Sequence, residues 1–266
     1  MPRVKHMAIV CEDPERLQEY YSRSFGFEKL SDGPGGSVYL SDGYLNIGLL
    51  KRGPELPEEN RELGLHHVGI QVESVDEIKK RIAGFDPSIQ LEKRPKEDPY
   101  SEYRIKFCEP QGFAIDISEK GYGVEGEKRV PGIRHIATGD RDPEKKLQFY
   151  SAIFGMREVE VGRGSVEAGK RSRGCVADGF VNICLVRRES DPRNASHFGI
   201  IMRHPEDLVR KLQAAYPARP ELWRPDRPGV EVHIRDLERN ALSLSDKKGW
   251  EVDVGKWDRV EYEGQA

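Results

Sequence analysis

Four of the seven histidines in the chain, His6, His67, His135 and His197, stand at equivalent places, each opening a stretch of apolar alternation such as His6-Met-Ala-Ile-Val or His67-Val-Gly-Ile-Gln-Val. A histidine at a strand opening can serve simply as a hydrogen-bonded structural residue. Two acids suggest more. Asp116 lies between Ile115 and Ile117, and Asp253 between Val252 and Val254, so each carboxylate faces either solvent or the inside of a sheet, where burial without a partner is costly. Two imidazoles and one carboxylate converging from three strands leave open coordination positions. Such a set suits Fe(II), with Mn(II), Zn(II), Ni(II) or Co(II) as competitors. The candidate sets are His6, His67, Asp116 and His135, His197, Asp253, and their spacings are far too wide for a single helix. Any such site therefore depends on a fold that brings distant strands together.

The elements that must do this repeat along the chain. His6 to Glu15 and onward to Tyr20-Tyr21-Ser22 and Phe25-Gly26 recurs without a gap as His135 to Glu144, Phe149-Tyr150-Ser151 and Phe154-Gly155, an offset of 129 residues. Asp42-Gly-Tyr-Leu-Asn46-Ile recurs as Asp178-Gly-Phe-Val-Asn182-Ile, and Gly112-Phe-Ala-Ile-Asp116 is matched to Gly249-Trp-Glu-Val-Asp253. Within each half, a strand opened by histidine leads to a helix that starts at Asp-Pro-Glu, where Asp caps and Pro fits the first turn. Short strands follow, and the pattern restarts at His67 and at His197. The reading is an α+β fold of four βαβββ modules in two pairs. The first domain is expected over 1–122, with modules at about 3–52 and 64–120, and the second over 130–258, with modules at about 132–190 and 195–256. Residues 53–62, with two prolines, read as an exposed linker.

Composition narrows the partners. The 266 residues carry 43 Lys+Arg and 46 Asp+Glu, a formal charge of −3, without a basic block, which argues against nucleic acid. No apolar run approaches the roughly 20 residues of a membrane span or the core of a signal peptide, so a cytoplasmic protein acting on a small molecule is expected. Cys11, Cys108, Cys175 and Cys184 form no CxxC pair and read as four reduced thiols.

The repeated modules, the His-apolar-Ala openings, the Asp-Pro-Glu helix starts and the closing Gly-x-x-apolar-acid pattern resemble the vicinal oxygen chelate superfamily. That group contains glyoxalase I, the bleomycin and fosfomycin resistance proteins, methylmalonyl-CoA epimerase and the type I extradiol dioxygenases. The resemblance covers about 3–120 and 132–256. It implies two glyoxalase-like half-barrels cupping a divalent metal that substrates chelate through adjacent oxygens. Its ligands would be His6, His67 and Asp116, and His135, His197 and Asp253, with Asp where the group usually has Glu. At the fourth-ligand position this chain offers only Asn46 and Asn182. The four-module layout most resembles the extradiol dioxygenases, and His233, twenty residues before Asp253, falls near their acid/base histidine. Their tyrosine position is held by Ser243. The resemblance implies an Fe(II) ring-cleaving dioxygenase, a non-redox lyase, isomerase or hydrolase using the metal as Lewis acid, or a metal-free sequestering protein, and it leaves homo-oligomer formation open. Further cup-lining candidates are Tyr103, Arg104, Lys106, Arg173 and Arg235. His66, next to His67, is expected on the opposite sheet face by strand alternation.

Overall fold

The structure is a computed structural model that describes residues 1–54, 56, 62–96, 98–107, 114–126, 130–159, 166–167, 170–171, 173–188, 196–224 and 232–246. In the first half the chain forms β1 (Arg3–Cys11), α1 (Pro14–Phe25), β2 (Glu28–Asp32), β3 (Val38–Ser41), β4 (Asn46–Lys51), β5 (Gly64–Gln71), α2 (Val75–Phe85), β6 (Gln90–Lys93), β7 (Tyr103–Lys106) and β8 (Ala114–Ser118). In the second half it forms β9 (Gly132–Asp140), α3 (Pro143–Phe154), β10 (Arg157–Val159), a small hairpin of β11 (Val166–Glu167) and β12 (Lys170–Arg171), β13 (Arg173–Ala177) and β14 (Asn182–Arg187). It continues through β15 (His197–Ile201), α4 (Pro205–Ala215), β16 (Trp223–Arg224), β17 (Val232–Arg235) and β18 (Ala241–Ser245).

Two eight-stranded sheets result, ordered β2-β3-β4-β1-β5-β8-β7-β6 and β10-β13-β14-β9-β15-β18-β17-β16. In each, the first strands of the two modules pair antiparallel at the centre, and every module returns its last strand parallel to its first. The central position is therefore occupied by the four histidine-bearing strands; only His197 opens its strand, while His6, His67 and His135 are each the fourth residue of theirs. The α+β architecture of four βαβββ modules in two sheets agrees with the reading from sequence. The edge strands β2 and β6, which complete the βαβββ modules after each helix, are mostly exposed and lack apolar alternation.

Local signals explain the helices. The Asp13 and Asp142 carboxylates accept hydrogen bonds from the Arg16 and Lys145 amides, Pro14 and Pro143 follow, and Gly26 and Gly155 end the helices in left-handed conformation at φ 71 and 68. The helix faces carrying Leu17, Tyr21 and Phe25, or Leu147, Tyr150 and Phe154, bury against the sheets, each such side chain contributing about 1.5–3 kcal/mol.

The halves join by an exchange that the repeat foreshadows. Asp42 Oδ2 accepts from the Ile133 amide of β9 while Asp178 Oδ2 accepts from the Val4 amide of β1, both at 2.7 Å. Each acid also closes its own turn through Oδ1, at Tyr44 and Leu45 or at Phe180 and Val181. Tyr44 and Phe180 stack across the join, and the Tyr21 hydroxyl donates to Asp236 at 2.6 Å.

The cysteine expectation needs correction. The antiparallel β13–β14 register sets Cys175 opposite Cys184, with Cα atoms 4.1 Å apart, and the two form a disulfide; Cys11 is a buried free thiol. A nine-residue separation spanning a tight strand connection gives no CxxC signature, so the pairing was hidden in the sequence. Cys108 lies outside the described residues.

Candidate functional site

On the concave face of the first sheet, β1 and β5 bring His6 and His67 together, with Nε2 atoms 3.1 Å apart. Two nitrogens at that spacing subtend roughly a right angle at a metal about 2.1 Å from each. The His6 ring is fixed from behind. Asn46 donates through Nδ2 to the Tyr122 carbonyl at 2.8 Å, which turns its Oδ1 toward His6 Nδ1 at 2.9 Å. His6 Nδ1 must then carry the proton, and the Nε2 lone pair points into the cup. The Tyr122 ring stacks on the imidazole at 5.1 Å and 4°. Gly69 makes this possible, because a Cβ there would lie 2.5 Å from Tyr122 and 2.7 Å from His6 Cβ.

The second half repeats the pair. His135 and His197 have Nε2 atoms 3.1 Å apart, and Asn182 Oδ1 meets His135 Nδ1 at 2.5 Å. Asn46 and Asn182 thus hold the paired histidines from behind, the arrangement found in partners that set imidazole orientation around metals.

The third donors differ between halves. Asp116 opposes Gly69 on β8 and comes within 3.6 Å of His67 Nε2, so the fold does converge the first set. Its carboxylate, however, is gripped by Arg104 from β7, Nε to Oδ1 at 2.6 Å and Nη2 to Oδ2 at 3.0 Å, and Arg94 Nε stands 3.6 Å from Oδ2. Burial opposes ionisation of Asp116, but the Arg104 guanidinium outweighs it and holds the carboxyl below its ordinary range. With its acid neutralised and two guanidiniums beside it, this set does not fit a divalent cation. In the second half, β18 takes beside β15 the place of β8, with Ser243 opposite Gly199 and His233 opposite Ser243 where the first half has Asp116 and Arg104. The strand expected at 250–254, with Asp253, lies outside the described residues. His233 Nδ1 and Ser243 Oγ are 3.0 Å apart. Among the described residues no group of three or more His, Cys, Asp or Glu side chains is placed to hold a metal. The second half supplies two converging imidazoles, and the register place of Arg104 is held there by His233, so the acid–guanidinium grip of the first half is not repeated at those positions; as far as it is described, this half fits a metal.

Other candidates fall into place by alternation and its failure. Tyr103, one residue from Arg104, faces the opposite side, where the Lys79 ammonium sits 4.7 Å over its ring. Lys106 pairs with Glu92 at 2.9 Å near the surface, and Arg173 is exposed on β13. Arg235 donates to the Arg239 carbonyl and, with His197 and Asn240, lines a cavity of about 300 Å³ between the halves. His66 breaks the expected alternation. The register passes from Ala8–His67 to Ile9–Leu65, leaving His66 as a bulge residue that turns into the first cup, its Nδ1 2.7 Å from that of His67. Sequence reasoning missed Tyr122, Arg94, Tyr39 and Tyr100, which reach the cup from other strands and loops; the paired glycines around Tyr122 are the one local signal.

Burial keeps these imidazoles neutral. It lowers His6 and drives His67 well below the ordinary value, with neighbouring histidines adding to the effect on His67, and it brings His66 and His135 down to about 3. An unfolded chain binds protons at histidine from about pH 6.5, whereas the folded chain does not until about pH 3. Stability is therefore full above that upper value and is lost as pH falls between the two, by about 1.4 kcal/mol per pH unit for each such histidine. Urea midpoints should decline steadily from about pH 7 to about pH 4; a flat profile contradicts neutral buried imidazoles.

Residues 3–117 match the Glyoxalase/Bleomycin resistance protein/Dioxygenase superfamily. Comparison with curated proteins finds no match. Among solved structures, the 2,3-dioxygenase LapB from Pseudomonas sp. KL28 is similar, with 14% identity, TM-score 0.69 and 91% of each chain covered. A variant of homoprotocatechuate 2,3-dioxygenase from B. fuscum has 14% identity, TM-score 0.70, and coverage of 94% of this chain and 72% of that one. The enzyme of the same name from Arthrobacter globiformis has 16% identity, TM-score 0.66, and coverage of 91% and 78%. At these identities the likeness is one of fold. No described helix is long and apolar enough to cross a membrane.

Proposed function

From a chain whose residues 3–117 match the Glyoxalase/Bleomycin resistance protein/Dioxygenase superfamily, we propose a metal-dependent enzyme of the extradiol dioxygenase type. It acts on a small substrate with two adjacent oxygens, and only its second half carries the chemistry. The observation that carries this reading is the His135–His197 pair, with Nε2 atoms 3.1 Å apart and His135 Nδ1 held by Asn182. These two histidines are the proposed ligands; the register place of the first half's acid is held by Ser243, and Asp253, the acid expected from sequence, lies outside the described residues. The solved structures of similar fold are named as 2,3-dioxygenases, which supports this reaction over the other members of the superfamily.

When bound, a divalent metal, Fe(II) in this reading, supplies Lewis acidity toward adjacent substrate oxygens and open positions for dioxygen. The chain supplies the rest. Asn182 sets His135 in the tautomer that leaves Nε2 bare, and burial keeps that imidazole neutral at physiological pH. His233, oriented by the Ser243 hydroxyl, is the group placed to take a proton from a substrate hydroxyl.

Oxygen uptake tests the reaction type. The metal-loaded chain should consume one dioxygen per catechol-type substrate cleaved. Turnover that continues unchanged without oxygen contradicts ring cleavage and leaves a Lewis-acid reaction.

A further inference from the structure

The first cup has lost the chemistry of a metal site but has not filled in. A cavity of about 350 Å³ remains over His6, His66 and His67, within the size range of small-molecule sites. Its walls include Tyr39 and Tyr100, which meet edge to face at 4.7 Å, together with Pro95, Pro99 and the Arg94 side chain. We propose that this cavity is a second, metal-independent ligand site, specific for small aromatic carboxylates.

Arg94 carries the argument. Its side chain is 23% exposed, and its Nε stands 3.3 Å from Asp98, to which it donates, and 3.6 Å from Asp116. The Nη edge of the fork makes no hydrogen bond to a described residue, although the side chain lines the cavity. A carboxylate is the group that takes such an edge through two parallel bonds. Arg104 matters indirectly: by satisfying Asp116 through both oxygens it keeps that acid from claiming Arg94 more closely.

The remaining walls suit the other end of such a ligand. Tyr39 and Tyr100 offer ring faces and edges to a planar ring, and the prolines exclude water. The three imidazoles are neutral, so they add hydrogen-bonding capacity for a ring hydroxyl. Arg94 and Arg104 balance Asp98 and Asp116, and Lys51 at the rim leaves the wall cationic by one. At the register position of Tyr39 and Gly48 the second half carries the Cys175–Cys184 disulfide instead. This site is independent of the reaction proposed for the second half.

Calorimetric titration of the full chain with benzoate, before and after chelator treatment, tests it. Saturable one-to-one binding in the millimolar range or tighter should survive chelation and the His197→Ala change. Arg94→Leu should weaken it by about tenfold or more, and Arg94→Lys, which keeps the charge but not the fork, should also weaken it. Tyr39→Leu should weaken it without altering metal content. Binding that disappears with the metal or with His197 would place benzoate in the second cup and overturn the proposal, as would equal affinity in wild type and both Arg94 variants, or no saturable binding. Loss of oxygen uptake with benzoate binding intact would overturn the proposed reaction alone.

Discussion

Replacing His197 by alanine should strip the protein of metal and reduce turnover to background, while His67→Ala leaves both nearly intact. The two residues are equivalents in the repeat, each with Nε2 3.1 Å from its partner histidine, so the contrast isolates what surrounds them. Around His67 stand the Arg104 and Arg94 guanidiniums, the first bound to Asp116 through both oxygens. Around His197 the register positions of Asp116 and Arg104 are Ser243 and His233, so the acid–guanidinium pair of the first half is not repeated at those positions. Asn182→Ala, which frees the His135 ring, should weaken metal binding by about 10–100-fold, the scale found for partners that orient ligand imidazoles. Equal metal loss in His67→Ala and His197→Ala would contradict the assignment.

The largest effect on stability is expected at Arg104. Asp116 is fully buried and its charge is compensated chiefly by the bidentate contact from Arg104. Arg104→Ala leaves that charge uncompensated in a closed site, and loss of one partner of a buried pair costs about 3–5 kcal/mol. The cost should shrink as pH is lowered toward the range where Asp116, no longer held down by the guanidinium, takes up a proton and becomes neutral. The double replacement Arg104→Met with Asp116→Leu removes both charges and should recover most of the loss, since a well-packed apolar pair often matches a buried ion pair. Denaturation of the three proteins at neutral pH measures this directly. A single variant as stable as wild type would show that the pair does not hold the cup together.

What was legible in the sequence was whatever depends on local pattern. The helix starts at Asp13-Pro14 and Asp142-Pro143, the stops at Gly26 and Gly155 and the histidine-bearing strands all read directly, because capping and period-two alternation are short-range, although three of these strands begin three residues before their histidine. The repeat of Asp42-Gly and Asp178-Gly marked the turns, though not that each acid reaches across to the other half. What could not be read depends on register. Asp116 appeared as a ligand because its strand places it beside His67, and it does lie there; the arginine opposite it on β7 becomes visible only once β7 and β8 are paired. His66 was assigned outward by alternation, and one bulge turned it inward. The match of Gly112–Asp116 to Gly249–Asp253 passed over Ala241-Leu-Ser-Leu-Ser245, which sits in the place of Ala114-Ile-Asp-Ile-Ser118 at an offset of 127, close to the 129 of the first strands.

The central claim is that two copies of one module pair have parted, one keeping a metal and the other trading it for an arginine-held acid and an open cup. The metal-to-chain ratio of the full protein, loaded with Fe(II) without oxygen and freed of excess, tests this most directly. The account predicts one metal per chain, retained in His67→Ala and absent in His197→Ala. Two metals per chain, or one that leaves with His67, would contradict it.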